Sequence, residues 1–208
     1  MKIKNDEWLK AQQFEKAWWS SAKNTCGEES KQLVYGKKMG LDMRFNGFDK
    51  WVDVHNQSIC DIGGGVTSLL LKARNLAFGL VVEPMKLPSW AYMRYLDANI
   101  NLLTQPAETV KLDGVFDEIW IYNVLQHTQD PKKIVENAKK HAKLIRMFEW
   151  LDTPPHDGHP QTLREDELNK WLGGNGRTEI LDSDLWNGYN KAYYGVFPTE
   201  HYNGKLNQ

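Results

Sequence analysis

The sequence predicts an α/β fold: a seven-stranded, mostly parallel sheet with helices on both faces and a helical cap at its N-terminus. Three observations carry this. From residue 58 onward, short apolar runs alternate with amphipathic stretches, the pattern of a parallel sheet whose crossovers are helices. The first apolar run, Ser58-Ile59-Cys60-Asp61-Ile62, passes straight into Gly63-Gly64-Gly65, the signature of a tight strand-to-helix turn. The first fifty-odd residues read mainly as helices that stand apart from this alternation. One domain therefore spans residues 1–208, with the cap at 1–56 and the α/β core at 57–208.

The elements follow in order. Residues 6–22 read as a helix with Asp6 as N-cap and Trp8, Phe14, Ala17, Trp18 and Ala22 near one face. Residues 28–39 form a second helix, ended by Gly40, and 45–56 a short helix and a loop. The alternation then runs strand 58–62, helix 66–74, strand 77–83, helix 88–97 and strand 100–104. Strand 115–121, helix 131–142 and strand 144–149 follow. Beyond a loop at 150–161, Thr162-Leu163-Arg164-Glu165 has the spacing of a capping box for helix 163–172. Strands at 177–182 and 192–197 complete the seven. There is no repeat, low-complexity tract or linker that divides the chain.

Composition narrows the function. The 208 residues suffice for one buried core, and the formal net charge of −1 gives no electrostatic case for a nucleic-acid-coating protein. Lys132, Lys133, Lys139, Lys140 and Lys143 recur at helical spacing and read as a solvated helix face. The two cysteines, Cys26 and Cys60, form neither a disulfide framework nor a metal-binding pair. The first ten residues are too polar for a signal peptide, and no apolar run approaches membrane-spanning length. A reducing, cytoplasmic location is the expectation. Nine tryptophans supply aromatic area for core or ligand alike.

The glycine turn is the most informative segment. Glycines let a ligand approach the backbone, and the helix beyond them offers unpaired N–H groups. A dinucleotide fingerprint needs a sixth-position glycine, where this chain has Ser68. Asp61, two residues before the first glycine, suits a cationic or N–H-rich ligand better than a pyrophosphate. If this turn binds a nucleoside, an acid that accepts from ribose hydroxyls is expected about 20 residues on, and Glu83 ends the run Leu80-Val81-Val82.

This ordered set resembles the class I S-adenosylmethionine-dependent methyltransferases, which implies a Rossmann-like sheet and a last strand, 192–197, that runs antiparallel. Asp61, Gly63 and Gly65 match the family's first motif, with Thr67 where its third glycine is usual. Glu83 matches the ribose-binding acid. Ala107-Glu108 match the adenine-contacting segment, whose usual acid is Pro106 here. The stretch from Val115 to Ile121, then Asn123-Val124-Leu125-Gln126-His127 and Asp130-Pro131, matches the family's fourth strand and its sequel. The resemblance covers roughly residues 57–150. It implies S-adenosylmethionine as cofactor, held by Asp61, Gly63, Gly64, Gly65, Glu83, Ala107, Glu108 and Asn123. It implies methyl transfer to a small-molecule O or N acceptor.

Such a transfer needs positioning, and a base where the acceptor carries a proton. His127 is the candidate base; its alternative role is to pack the turn before Asp130-Pro131. Trp18, Trp19, Tyr35, Glu149, His156 and His159 are the candidate acceptor-pocket residues. His156 and His159 lie in a proline-rich loop without helical register, so no metal is expected there. Two other readings use the same residues. One is a non-catalytic nucleoside- or partner-binding protein of this fold. The other is a nicotinamide-dependent oxidoreductase, against which Asp61 and Ser68 argue.

Overall fold

The computed structural model describes residues 2–182 and 188–204. Two helices lead, α1 (Asn5–Trp18) and α2 (Ala22–Lys38). The strands are β1 (Asp42–Phe45), β2 (Lys50–Ile62), β3 (Ala73–Val82), β4 (Asn101–Leu103), β5 (Phe116–Tyr122), β6 (Ala142–Trp150), β7 (Arg177–Ile180) and β8 (Lys191–Pro198). Helices α3 (Ser89–Asp97), α4 (Pro131–His141) and α5 (Glu165–Leu172) connect them. The sheet order is β4-β3-β2-β5-β6-β8-β7, with β1 paired to β2 off this path. Strands β4, β3, β2, β5 and β6 are mutually parallel, and β8 runs antiparallel to both β6 and β7.

Burial explains the central strands. Ile119, Trp120 and Ile121 of β5 and Ile145, Met147 and Phe148 of β6 are fully buried, as expected where helices cover both faces. One apolar cluster joins the sheet to α4 and α5; the other joins it to α2 and α3. Ion pairing registers β5 against β6: Arg146 donates to Glu118 twice, each at 2.7 Å. The same guanidinium donates to the Met39 carbonyl at 2.8 Å, which fastens the end of α2 to the sheet. Among the described residues no helix is long and apolar enough to cross a membrane.

Several expectations need correction. All seven expected strands are present and an eighth, β1, joins them, while residues 50–56, expected as helix and loop, extend β2. Val52 and Val54 alternate inward there and are buried, and β1 pairs with this stretch. The boundary at 56/57 consequently falls inside β2. Helix 66–74 is only a 3-10 turn, Leu69–Lys72. Ser68 Oγ takes the Leu70 N–H at 3.0 Å, and Ala73 already pairs with Val52 as β3 begins. Helix α1 starts earlier than Asp6: Lys4 is its N-cap, with the Glu7 carboxylate accepting the Lys4 N–H at 3.2 Å. It ends at Trp18, and α2, capped by Ser21, begins at Ala22, six residues before the expected start. The capping box at 162–165 does not form. Arg164 is the N-cap of α5, and Thr162 Oγ1 donates to the Thr153 carbonyl at 2.7 Å instead.

Candidate active site

Strand order reverses between β2 and β5, so their carboxyl ends flank a topological switch point, where α/β sheets bind ligands. Both strands exit through left-handed backbone, Gly63 after β2 (φ +75°) and Asn123 after β5 (φ +53°). The two turns press together: a Cβ on Gly63 would stand 2.0 Å from Val124 Cγ2. A cavity of about 440 Å³ opens above them, within the usual range for small-molecule sites.

Three buried carboxylates at strand ends brace these turns. Asp61 of β2 accepts from Ser68 Oγ and Tyr122 Oη, both at 2.5 Å. Glu83, after β3, accepts the N–H groups of Gly65 at 3.2 Å and Met85 at 2.9 Å. Glu149 of β6 accepts those of Val124 at 3.1 Å and Leu125 at 3.0 Å. Burial raises all three carboxyls to about 7, against the pull of these hydrogen bonds. Asp61 Oδ1 and Glu149 Oε2 have no hydrogen-bond partner among the described residues.

The cavity brings together Gly63, Gly65, Glu83, Ala107, Glu108 and Asn123 of the expected cofactor set. It does not include Asp61 or Gly64, which lie beneath the glycine turn; a Cβ on Gly64 would be 3.0 Å from Asp61 Oδ2. The donors expected of a helix N-terminus are largely committed elsewhere. Ser68 and Leu69 N–H groups bond Tyr95 and Tyr122 hydroxyls at 3.2 and 2.9 Å. Glu108 accepts from the Gln129 N–H at 2.9 Å.

Of the expected acceptor-side residues, Trp18, Trp19, Tyr35, His127, His156 and His159 line the same cavity. Glu149 does not; it is fully buried beneath the turn after β5. Trp18 stacks on Phe14, and Trp19 covers the glycine turn, 3.5 Å from where a Cβ of Gly65 would be. Both tryptophans therefore face the cavity despite adjacent positions, because α1 ends between them.

His127 follows β5 in a 3-10 turn. Its Nδ1 contacts the Gly158 carbonyl at 2.7 Å, and a carbonyl can only accept, so Nδ1 carries the proton. Glu15 Oε1 lies 3.2 Å from the same nitrogen. Burial pulls the imidazole pKa down, but the Glu15 carboxylate, the Gly158 carbonyl and Glu149 together outweigh it, and the net shift is upward. Glu15 Oε2 also accepts from Trp19 Nε1 at 3.1 Å. His156 Nε2 and His159 Nδ1 share the Tyr189 hydroxyl at 2.8 and 2.9 Å. Burial and the neighbouring His127 push both of their pKa values down. Among the described residues no cluster of three His, Cys, Asp or Glu side chains is disposed to hold a metal.

Sequence reasoning missed Glu15 and Tyr189. Glu15 sits one helical turn before Trp19, a spacing that puts the two on one face. Tyr189 precedes β8, whose antiparallel course brings its start, not its end, to the site.

No family model matches the chain, and no curated protein matches its sequence. Solved structures do match. A Burkholderia thailandensis 1,6-didemethyltoxoflavin N1-methyltransferase, crystallised with its namesake compound and S-adenosylhomocysteine, superposes at a TM-score of 0.61 and 11% identity. That match covers 94% of this chain and 89% of the other. Magnesium protoporphyrin IX methyltransferase from Synechocystis PCC 6803, with S-adenosylmethionine bound, gives 0.56 and 17%, over 84% and 81% of the two chains. A [4+2]-cyclase gives 0.53 and 14%, over 82% and 81%. The chain thus has the fold of the class I S-adenosylmethionine-dependent methyltransferases.

Proposed function

We propose that this protein transfers a methyl group from S-adenosylmethionine to an oxygen or nitrogen of a small-molecule acceptor. The observation that carries the reading is one cavity at the switch point that gathers two chemically distinct sets of residues. One set is the glycines and the strand-end acid Glu83; the other is aromatic rings and a histidine, with Trp19 lying over Gly65 where the two sets meet.

The residues present fit the cofactor. Glu83 spends one lone pair of each oxygen on a backbone N–H and keeps others for ribose hydroxyls. Gly63 and Gly65 leave the cavity floor without side chains. Among the charged side chains of the lining, Glu15, Glu28, Glu83 and Glu108 outnumber Lys31, which suits a sulfonium better than a pyrophosphate. When bound, the cofactor supplies a methyl carbon made electrophilic by its sulfonium.

The chain's own residues do the rest. The Gly158 carbonyl and Glu15 fix the His127 tautomer with the proton on Nδ1, leaving Nε2 to accept a proton from the acceptor. Glu15 stabilises the imidazolium that results, the division of labour of a carboxylate–histidine pair. Helix α1 and the loop carrying His156 and His159 exclude water from the transfer.

Isothermal titration with S-adenosylmethionine, S-adenosylhomocysteine and NAD tests the cofactor. Comparable or tighter NAD binding sinks the reading. Methyl transfer to any acceptor separates it from a non-catalytic protein of this fold.

A further inference from the structure

We propose that the acceptor is an uncharged, flat aromatic compound with a weakly acidic hydroxyl or ring N–H, such as a phenol or hydroxylated bicycle. This rests on the methyl-transfer reading and narrows it to a substrate class.

Shape is the first ground. Of the nine tryptophans, Trp8, Trp18, Trp19 and Trp150 line the cavity. The rings also stack among themselves: Phe14 on Trp18 with centroids 6.4 Å apart and 19° between planes, and Trp150 on Tyr189 at 5.9 Å and 26°. Stacked walls offer π-faces to a flat guest. An aliphatic or sugar acceptor would leave most of that area unmatched.

Charge is the second ground. The Asp, Glu, Lys and Arg side chains of the lining are Glu15, Glu28, Lys31, Glu83 and Glu108, and every one already has a side-chain or backbone hydrogen-bond partner. Lys31 is the lone cation among them and sits 2.8 Å from Glu28. An anionic acceptor therefore meets carboxylates and no unpaired cation. A cationic one would have to draw Glu15 from Trp19 and His127, Glu28 from Lys31, or Glu108 from the Gln129 and Asp130 N–H groups, since the methyl-transfer reading gives Glu83 to the cofactor. A buried charge without a partner is costly, so a neutral guest is selected. His156 and His159 share the Tyr189 hydroxyl, and burial with the neighbouring His127 lowers both imidazole pKa values, which favours their neutral forms.

The chemistry balances. The acceptor's proton passes to His127 Nε2, its heteroatom lone pair forms the bond to the methyl carbon, and the electron pair of the broken carbon–sulfur bond stays on sulfur. A weakly acidic proton is what an imidazole can take.

The test uses the full chain saturated with S-adenosylhomocysteine and calorimetric titration of three probes. These are 4-methylumbelliferone below the pKa of its hydroxyl, its phosphate monoester and histamine. The neutral ring should bind at least about tenfold more tightly than either charged probe. Trp18→Ala should weaken it by about tenfold, with Trp18→Phe recovering part of the loss. Equal or tighter binding of a charged probe overturns the proposal. So does no binding of the neutral ring while S-adenosylhomocysteine binds, or binding indifferent to Trp18. Failure of S-adenosylhomocysteine itself to bind overturns the underlying methyl-transfer reading instead.

Discussion

Replacing Glu83 with alanine should damage the glycine turn as well as the ligand site. Its carboxylate holds the N–H groups of Gly65 and Met85 at 3.2 and 2.9 Å, and the residue is 7% exposed. A hydrogen bond to a charged group contributes about 1.5–3 kcal/mol. With its pKa raised to about 7, this carboxyl is only partly ionised near neutrality, so each bond is nearer the lower figure. Removing the buried acid also relieves some desolvation cost, which grows as pH rises, so the measurement belongs near pH 6.5. A net loss of roughly 2–3 kcal/mol remains, a fall in melting temperature of about 4–12 °C for a chain this size. Glu83→Gln keeps one acceptor oxygen and should lose about half as much. Calorimetry on the folded variants should show S-adenosylhomocysteine affinity down ten- to hundredfold, about 1.4–2.8 kcal/mol. A Glu83→Ala variant that melts within about 1 °C of the parent refutes the bracing role. Unchanged affinity refutes the ribose role.

Other outcomes follow from the same geometry. Gly63→Ala places a Cβ 2.0 Å from Val124 Cγ2 at a φ of +75°. It should cost about 2–4 kcal/mol in urea titrations, with Val124→Ala recovering part; a loss under about 1 kcal/mol means the two turns are not crowded. Glu15→Gln removes the carboxylate that raises the His127 pKa, so the acid limb of the kcat/KM profile should move to lower pH. An unmoved limb breaks the pair. Asp61, Glu83 and Glu149 have folded pKa values near 7, above their unfolded values. Between about pH 4 and 7 the native state binds protons that the unfolded chain has released, so their contribution to stability is lost as pH rises through that window. Urea midpoints across it, in the parent and in Asp61→Asn, should show a smaller fall for the variant; identical profiles contradict the shift. Deleting residues 1–20 should spare folding and S-adenosylhomocysteine binding but abolish turnover, since Ala11 is the buried residue of α1. Deletion through residue 40 should unfold the chain, because Tyr35 and Met39 belong to the core. Normal turnover without α1 rules out its part in the site.

Legibility in the sequence tracked how local each determinant was. The apolar runs of β5 and β6 announce buried strands without tertiary knowledge, and Asp130-Pro131 starts α4 with Asp130 accepting the Lys133 N–H at 3.1 Å. Where a distant partner decides, the pattern misleads. The apolar run after Gly65 has helical character, yet Tyr95 and Tyr122, far along the chain, take the Ser68 and Leu69 N–H groups and the chain turns into β3 after one short coil. Val52 and Val54 alternate as strand residues do, but the inserted left-handed residues His55 and Asn56 disguise the continuity of β2. In the site, the glycines, Glu83 and Asn123 were visible because each ends its own strand. Glu15 was not, because its role exists only once α1 docks against the turn carrying His127.

The antiparallel course of β8 partitions the site by chain segment. Gly63, Gly65, Glu83, Ala107 and Asn123 all come from turns that follow parallel strands of the sheet. Trp18 and Glu15 come from the chain's beginning, His156 and His159 from the segment after β6, and Tyr189 from the approach to β8. The turn carrying Asn123, Val124 and His127 serves both groups, and Trp150 at the end of β6 joins the second. On the proposed reading, most of the acceptor wall is written in stretches of sequence that can be exchanged while Asp61, Glu83, Glu149 and the glycines themselves keep their residues. Altered selectivity should be sought there, by swapping the segments around 8–19, 151–160 and 188–190 together, because Tyr189 and the two loop histidines share one hydroxyl and cannot be redesigned singly.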